Sequence, residues 1–495
     1  MLLKDLLKKI EKENIIGDDN IEITGIAYDS RKVKKGDLFV CIKGFKVDGH
    51  NFISQAIDQG AAAIIVEKEI AEKISIPIVK VKNSRSALAI ASATFLDNPS
   101  SKFKLIGVTG TNGKTTTTYL IKNILELKGS KVGLIGTNQN MIGDKVLPAE
   151  RTTPESLELQ QLFAEMAENN VDYVVMEVSS HALELNRVDG CNFEIGIFTN
   201  ITQDHLDFHI TMENYLNAKA KLFKQCKIGV INADDSASEH ILNTGNCKMI
   251  TFGIDKEADI QAENILISEK GIKFKVISKK TDVLTYGEEN IALNIPGRFS
   301  VYNALGSIGA CLALGVNLQQ IQQALKLAKG VPGRAQIVET GRDFTVLIDY
   351  AHTPDGLKNI LSTVKGFAKG RVVTLMGCGG DRDKTKRPIM GKIAGELSDF
   401  CIITSDNPRT EDPVQILNHI EEGIKGTDCP YIVIENRFEA IKYVLENAQK
   451  DDVIVLAGKG HETYQILKDR TIDFDEKKIV ESILDSKVSG LRNGE

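Results

Sequence analysis

Residues 104–118, KLIGVTGTNGKTTTT, constrain the fold of this chain more than any other stretch. The apolar run Leu105-Ile106-Gly107-Val108 predicts a buried strand. The residues Gly110-Thr111-Asn112-Gly113-Lys114-Thr115-Thr116 follow it directly. A helical pattern comes next, with Leu120, Ile121, Ile124 and Leu125 on one face and Gly129 as its stop. Strand, glycine turn, Lys-Thr and helix start together predict a phosphate-binding loop. Glycines let backbone N–H groups face an anion, and a helix N-terminus adds partial positive charge. Lys114 is placed to reach the β- and γ-phosphates, and the Thr115 hydroxyl to hold Mg²⁺. The common pattern has a glycine where this chain has Val108, so the loop is a shorter variant, GxxGKT.

The chain has 495 residues, which predicts two to four domains. A net charge of -6 favours neither nucleic acid nor an anionic membrane as partner. No apolar run reaches the roughly 18 residues of a membrane span. The N-terminal MLLKDLLKKIEKE carries leucines at helical spacing among charges, which predicts an amphipathic helix rather than a secretory segment. The eight cysteines (41, 191, 226, 247, 311, 378, 401, 429) include no CxxC, and most lie in apolar runs. Free thiols in a reducing cytoplasm are the expectation, without a structural zinc site.

An α/β chain of three domains is predicted. Residues 1–98 read as a small α/β domain with strands over 22–27, 37–42 and 62–66. The turns Asp29-Ser30-Arg31 and Gly44–Gly49 are polar enough to grip a ligand and equally fit solvated loops. The linker signal Asp97-Asn98-Pro99-Ser100-Ser101 follows.

Residues 99–330 form the expected nucleotide-binding domain. Thr152-Thr153-Pro154-Glu155 predicts a helix start with Thr as cap. The strand Tyr173–Met176 delivers Glu177, the position at which a phosphate-loop enzyme holds Mg²⁺. His205 and His209 are four residues apart, but no HExxH surrounds them. One imidazole assisting Mg²⁺ and a histidine satisfied by backbone both fit. Lys219 and Lys221 lie on a helix from Thr211, and periodicity gives neither a role. Period-two patterns over 258–295 predict an antiparallel insert, and Phe299–Leu314 returns to helix with Asn303 in its first turn.

Residues 331–495 alternate strand and helix, the pattern of a doubly wound, Rossmann-like sheet, which binds ligands at strand C-termini. Four polar clusters follow the predicted strands: Asp349–His352, Gly377–Asp383, Ser405–Arg409 and Ala457–Glu462.

On these motifs the sequence resembles the Mur ligases over essentially its whole length. The resemblance rests on Asp29-Ser30-Arg31, GTNGKTT at 110–116, TTPE at 152–155, MEVSSH at 176–181, Asn200 with DHLDFH to 209, PGR at 332–334, DYAHTPDGL at 349–357, GCGGDRDKTKRP at 377–388, DNPR at 406–409 and AGKGHE at 457–462. It implies that Gly110, Thr111, Asn112, Gly113, Lys114, Thr115, Thr116, Asn303, Arg334 and Asp349 bind ATP. Thr115, Glu177, His205 and Lys219 would hold Mg²⁺ or support it, with Lys219 carbamylated to N6-carboxylysine. Lys114, Lys219 and His205 would be catalytic. Tyr28, Ser30, Phe45, Lys46, Val47, Thr152, Thr153, Ser179 and Arg187 would bind a UDP-MurNAc-dipeptide, with Leu185 standing where the family often has Gln.

The implied activity is an ATP-dependent amide ligation in peptidoglycan synthesis. ATP would phosphorylate the D-Glu γ-carboxylate of UDP-MurNAc-L-Ala-D-Glu, and an amine would attack the acyl phosphate. The resemblance places the amine at Arg382, Asp406, Asn407, Pro408, Arg409, Gly458 and Glu462. An Arg fork suits the second carboxylate of meso-diaminopimelate, and lysine-adding relatives lack Arg409. L-Lysine addition, a folylpolyglutamate synthetase-like ligase and an ATP-regulated binding protein are the alternatives. A cytoplasmic monomer is expected.

Overall fold

The computed structural model describes residues 1–44, 47–70, 74–268 and 270–492. Three main sheets follow one another along the chain. The first has five strands in the order β1-β5-β4-β3-β2: β1 Lys12–Ile16, β2 Gly25–Ala27, β3 Asp37–Val40, β4 Ala63–Val66 and β5 Ile78–Val81. β2 to β5 run parallel, and β1 pairs antiparallel with β5. The predicted N-terminal helix shrinks to a single turn, Leu3–Leu6. Leu3, Leu6, Leu7 and Ile10 still bury on one side. The last two residues of the predicted helix, Lys12 and Glu13, instead open β1, because the free edge of β5 offers Lys12–Ile16 a hydrogen-bonding partner.

The second sheet has eleven strands in the order β16-β15-β14-β13-β12-β11-β6-β10-β7-β8-β9. Its members are β6 Lys104–Thr109, β7 Val132–Ile135, β8 Asn140–Ile142, β9 Lys145–Leu147, β10 Tyr173–Glu177, β11 Phe193–Phe198, β12 Cys226–Asn232, β13 Lys248–Gly253, β14 Ile260–Ser268, β15 Gly271–Ser278 and β16 Gly287–Leu293. β7, β10, β6, β11, β12 and β13 are parallel, and β14 to β16 form the antiparallel insert that extends the same sheet. Strand β6 lies between β10 and β11, buried on both faces, so the loop that follows it opens at the centre of the sheet. Helices Lys114–Leu127 and Arg298–Ala313 pack on one face and Ser156–Glu168 on the other.

Two local expectations change here. The helix after TTPE starts at Ser156, and neither threonine caps it. Thr153 Oγ1 instead donates to the Glu177 carbonyl at 2.9 Å, a partner supplied by β10. Asn303 falls in the second turn of its helix, which starts at Arg298.

The third sheet has the order β17-β18-β22-β19-β20-β21, with β17 Gln336–Val338, β18 Thr345–Asp349, β19 Val372–Met376, β20 Phe400–Ile403, β21 Tyr431–Val433 and β22 Val453–Ala457. All pairs are parallel except the β17 edge. A hairpin of β23 Tyr464–Ile466 and β24 Thr471–Asp473 follows. Helices cover both faces: Pro354–Lys365, Lys386–Leu397 and Pro413–Ile424 on one, Arg437–Glu446 and the helix from Glu476 on the other. Among the described residues no helix is long and apolar enough to cross a membrane.

Candidate active site

The phosphate loop turns on two glycines. Gly110 and Gly113 take φ of +146° and +88°. A Cβ at Gly110 would lie 1.9 Å from Thr199 Oγ1, and one at Gly113 2.3 Å from Asn303 Oδ1. Neither position admits a side chain. Val108 sits inside β6, paired with Glu177 and Ile197. The strand therefore runs further before the turn, and the loop is correspondingly short. Thr199 Oγ1 and Asn200 hold the Asn112 backbone at 2.7–3.1 Å.

Two cavities flank this loop. One, of about 320 Å³, is lined by Gly113, Thr116, Asn232, Tyr302, Asn303 and Asp355. The other, of about 310 Å³, is lined by Lys114, Glu177, His205, Lys219, Arg409 and Glu462. Asn112, Thr115, Arg334 and Tyr350 border both. Asp349 lines the first, on which Asn303 and Thr116 also converge.

Lys114 folds back over the loop, donating to the carbonyls of Gly110 at 2.9 Å and Thr111 at 2.8 Å. Burial lowers its pKa, and Arg334 adds to that against the opposing pull of Glu177. Lys219 is buried, donates to the same Gly110 carbonyl at 2.8 Å, and lies 4.4 Å above the Tyr215 ring. Desolvation first, then Lys114, pushes its pKa well below the usual lysine range. The expected shared helix ends at Ala220, so Lys221 falls in the following turn Lys221–Lys224 and pairs with Glu184 at the surface.

Glu177 ends β10 and takes hydrogen bonds from Thr137 N at 2.9 Å and Thr137 Oγ1 at 3.0 Å. The Thr115 hydroxyl accepts from Arg334 Nη2 at 3.0 Å, and that guanidinium stacks 4.6 Å over Tyr350. His205, at φ +55°, stands 3.3 Å from the Asp204 carboxylate. Burial holds the His205 pKa down at about 3 despite that carboxylate. His209 turns inward instead, with Nε2 2.9 Å from Ser180 Oγ.

The opposite wall belongs to the third sheet. Asn407 Nδ2 donates to Glu462 Oε2 at 2.8 Å, and the buried Lys459 bonds both, Asn407 Oδ1 at 3.2 Å and Glu462 Oε2 at 3.0 Å. Burial, then Asp406, raises the Glu462 pKa. A Cβ on Gly458 would meet Asp406 Oδ2 at 2.6 Å. Arg409 holds φ +52° and donates to the Gly380 carbonyl at 2.9 Å. Arg382, Asp406, Asn407, Arg409, Gly458 and Glu462 all border the second cavity, and the buried Pro408 lies between two of them in sequence.

The chain matches three family models along its length: "Mur ligase family, catalytic domain" over residues 22–96, "Mur ligase middle domain" over 108–311 and "Mur ligase, glutamate ligase domain" over 333–460. The chain belongs to the Mur ligases. A Mur ligase of Caldanaerobacter subterraneus named UDP-N-acetylmuramoyl-L-alanyl-D-glutamate–2,6-diaminopimelate ligase is 54% identical over 486 residues, 98% of this chain and 99% of that protein. A solved structure carrying the same name has a TM-score of 0.71 at 31% identity, covering 99% of each chain. The MurF ligase of Thermotoga maritima in complex with ADP shares the fold, with a TM-score of 0.61 at 18% identity, covering 94% of this chain and 98% of that one.

Not every expected Mur ligase residue meets in the cavities. Thr152 and Ser179 border the second. Thr153 is buried behind it, and Arg187 is tied to Glu155 at 2.8 Å and to the Thr153 carbonyl at 3.1 Å. Tyr28 donates to Glu158 at 2.8 Å, Ser30 to Gln55 at 2.9 Å, and Val47 is exposed. Phe45 and Lys46 lie outside the described residues. Lys386, His352 and Tyr350, to which the sequence motifs assign no ligand, line the same cavity. Their signal was available, since Tyr350 and His352 sit in the strand-end cluster Asp349–His352 and Lys386 in the GCGGDRDKTKRP motif at 377–388.

Proposed function

We propose that this Mur ligase adds meso-2,6-diaminopimelate to the D-Glu γ-carboxylate of UDP-MurNAc-L-Ala-D-Glu at the expense of ATP, in peptidoglycan synthesis. One observation supports it most. A single cavity has Lys114, Glu177 and Lys219 on one wall and Asn407, Arg409 and Glu462 on the other. Residues 1–98 take the UDP-MurNAc end, 99–330 the ATP and 331–495 the amino acid. Tyr28 and Ser30 reach their ligand only after exchanging their present protein partners.

ATP lies across the shared border, its nucleoside toward Asn303, Arg334 and Asp349 and its phosphates on the loop N–H groups. Mg²⁺ would be held by Thr115 and Glu177 with His205 in support. Hydroxyl and carboxylate oxygens are the hard donors that ion takes. When bound, it neutralises charge on the transferring phosphoryl group. Lys219 carries the carbamate, because burial shifts it toward the neutral amine, the form that is a nucleophile toward CO₂.

A carboxylate is a poor electrophile, so the D-Glu γ-oxygen first attacks the γ-phosphorus and ADP leaves. Lys114 and the loop amides stabilise the charge that spreads over the phosphoryl oxygens. The free amine then attacks the acyl carbon, and phosphate departs as the amide forms. Arg409 and Arg382 orient the amino acid by its carboxylates, and Glu462 with Asn407 faces its ammonium end. A lysine side chain would leave the Arg409 fork unpaired, a loss of about 1–3 kcal/mol.

Phosphate release measured with each substrate omitted in turn tests this. Release requiring both the muramoyl-dipeptide and diaminopimelate supports the reading. Release that proceeds equally with lysine, or with a folate in place of the dipeptide, removes it.

A further inference from the structure

Cys226 and Cys247 lie 21 residues apart in the chain, yet their Sγ atoms are 3.5 Å apart. Met249 Sδ is 3.7 Å beyond Cys247 Sγ. The three sulfurs lie over a floor of two register-paired glycines, Gly196 of β11 and Gly229 of β12. A Cβ on Gly196 would lie 3.0 Å from Cys226 Sγ, and one on Gly229 2.6 Å from Met249 Sδ and 3.2 Å from Cys247 Sγ. The sulfurs therefore occupy space that side chains at those glycines would fill. Cys226 starts β12 and Cys247 immediately precedes β13, so two neighbouring parallel strands bring them together. Cys226 is buried, whereas Cys247 is partly open to solvent.

We propose that Cys226 and Cys247 form a redox-active dithiol that a hydroperoxide closes to a disulfide. The Cys226 S–H donates to Cys247 Sγ. That donation lowers the Cys247 pKa, against burial, and raises that of Cys226. Cys247, reachable and the better thiolate, attacks the peroxide oxygen. The O–O bond breaks, Cys247 becomes a sulfenic acid, and the leaving oxygen departs protonated as water or alcohol. Cys226 sulfur then attacks the sulfenic sulfur, the S–O bond breaks, and hydroxide leaves as water with the Cys226 proton. Two thiols lose two electrons and two protons, and the peroxide gains them. Closure brings the sulfurs to about 2.05 Å, a movement of about 1.5 Å that side-chain rotation at two strand ends can supply.

The link would sit close to the catalytic helix. Helix Met212–Ala220, which carries Lys219, runs through the turn Lys221–Lys224 directly into Cys226. Leu222 and Phe223 of that turn pack against the same two glycines.

The test is peptide mapping of the full chain after stoichiometric hydrogen peroxide, under non-reducing conditions. The expected result is a Cys226–Cys247 cross-linked peptide, lighter than the two thiols by about 2 Da and reopened by dithiothreitol. In Cys226→Ser the link is lost, and Cys247 accumulates a dimedone-reactive sulfenic acid. In the wild type, Cys247 oxidised while Cys226 stays alkylatable would overturn the proposal. So would closure of the second close pair alone, Cys401 and Cys429 at 3.8 Å. The wild-type map decides the matter even where the variant does not fold.

Discussion

Lys219 Nζ and Lys114 Nζ both donate to the carbonyl oxygen of Gly110, at 2.8 and 2.9 Å. Burial first, and then repulsion from the neighbouring Lys114 charge, disfavours the charged form of Lys219, whose pKa falls well below its ordinary value. A carbamate on Lys219 exchanges that repulsion for attraction to Lys114. In ¹³C-bicarbonate the protein should show a carbamate carbonyl resonance that is missing in Lys219→Ala. That variant should lose about 10²- to 10³-fold in kcat, the scale for removing one charge-stabilising group. Formate or acetate should restore part of it. Full activity in Lys219→Ala would show the lysine to be a bystander.

Arg409 offers the next test. Its guanidinium spends one N–H on the Gly380 carbonyl at 2.9 Å, and the side chain borders the cavity. Losing a charge-assisted fork on a carboxylate costs about 2–4 kcal/mol. Arg409→Ala should therefore lower kcat/KM for diaminopimelate by about 30- to 1000-fold and leave the KM for ATP within about twofold. Equal losses for both substrates would mean that Arg409 holds up the loop rather than reading the amine.

Much of this was legible in the sequence because it is local. Strand β6, the glycine turn and the helix from Lys114 follow from hydrophobic period and glycine placement alone. So do the polar clusters at the ends of β18, β19, β20 and β22. What periodicity missed depends on partners far along the chain. Lys12 and Glu13 end the helix-like N-terminal pattern and yet enter strand β1, because β5, over sixty residues away, has a free edge. Lys219 looked like any surface lysine until Gly110 and Tyr215 closed over it. The pairing of Cys226 with Cys247 has no sequence signature, since only the β12–β13 register makes them neighbours.

Acid should destabilise the protein through histidines held neutral. Burial, then Lys386, pushes His352 down to about 4, and burial, then Arg334, pushes His461 down to about 3. Above about pH 6.5 these rings are neutral in both folded and unfolded states and contribute no pH dependence. As pH falls below that, the unfolded chain takes up protons that the folded chain refuses, so stability is lost from about pH 6.5 down to about pH 4 through His352 and to about pH 3 through His461. Urea midpoints at a series of pH values should fall across this window. His352→Gln and His461→Gln should each flatten the fall. Midpoints that rise on acidification would contradict the assignment.

Ile210 is strained and exposed. Its φ is +69° and ψ -47°, and Thr211 N bonds the His209 carbonyl at 2.8 Å, closing a three-residue turn around it. A β-branched residue is poorly suited to that backbone. The side chain is 78% exposed, so little packing opposes its removal. Ile210→Gly relieves strain of about 1–3 kcal/mol and adds unfolded-state entropy of about 1 kcal/mol. Calorimetry should show a net rise in Tm of about 1–3 °C. A fall would mean that the turn is not strained.

Arg437 and Glu476 form an ion pair at 2.8 Å with both side chains fully buried. Arg437 also donates to the Ala457 carbonyl at 2.9 Å and the Ser405 carbonyl at 3.4 Å. Those carbonyls precede the segments 458–462 and 406–409, so one guanidinium tethers both loops of the proposed amine site. Arg437→Met should cost about 3–5 kcal/mol, because Glu476 is left buried without its partner charge. Removing both charges in Arg437→Met with Glu476→Leu should return most of that stability. The tethers would still be missing, so the KM for diaminopimelate should stay raised in the double variant while its unfolding midpoint recovers. Recovery of both together would assign Arg437 to charge balance alone.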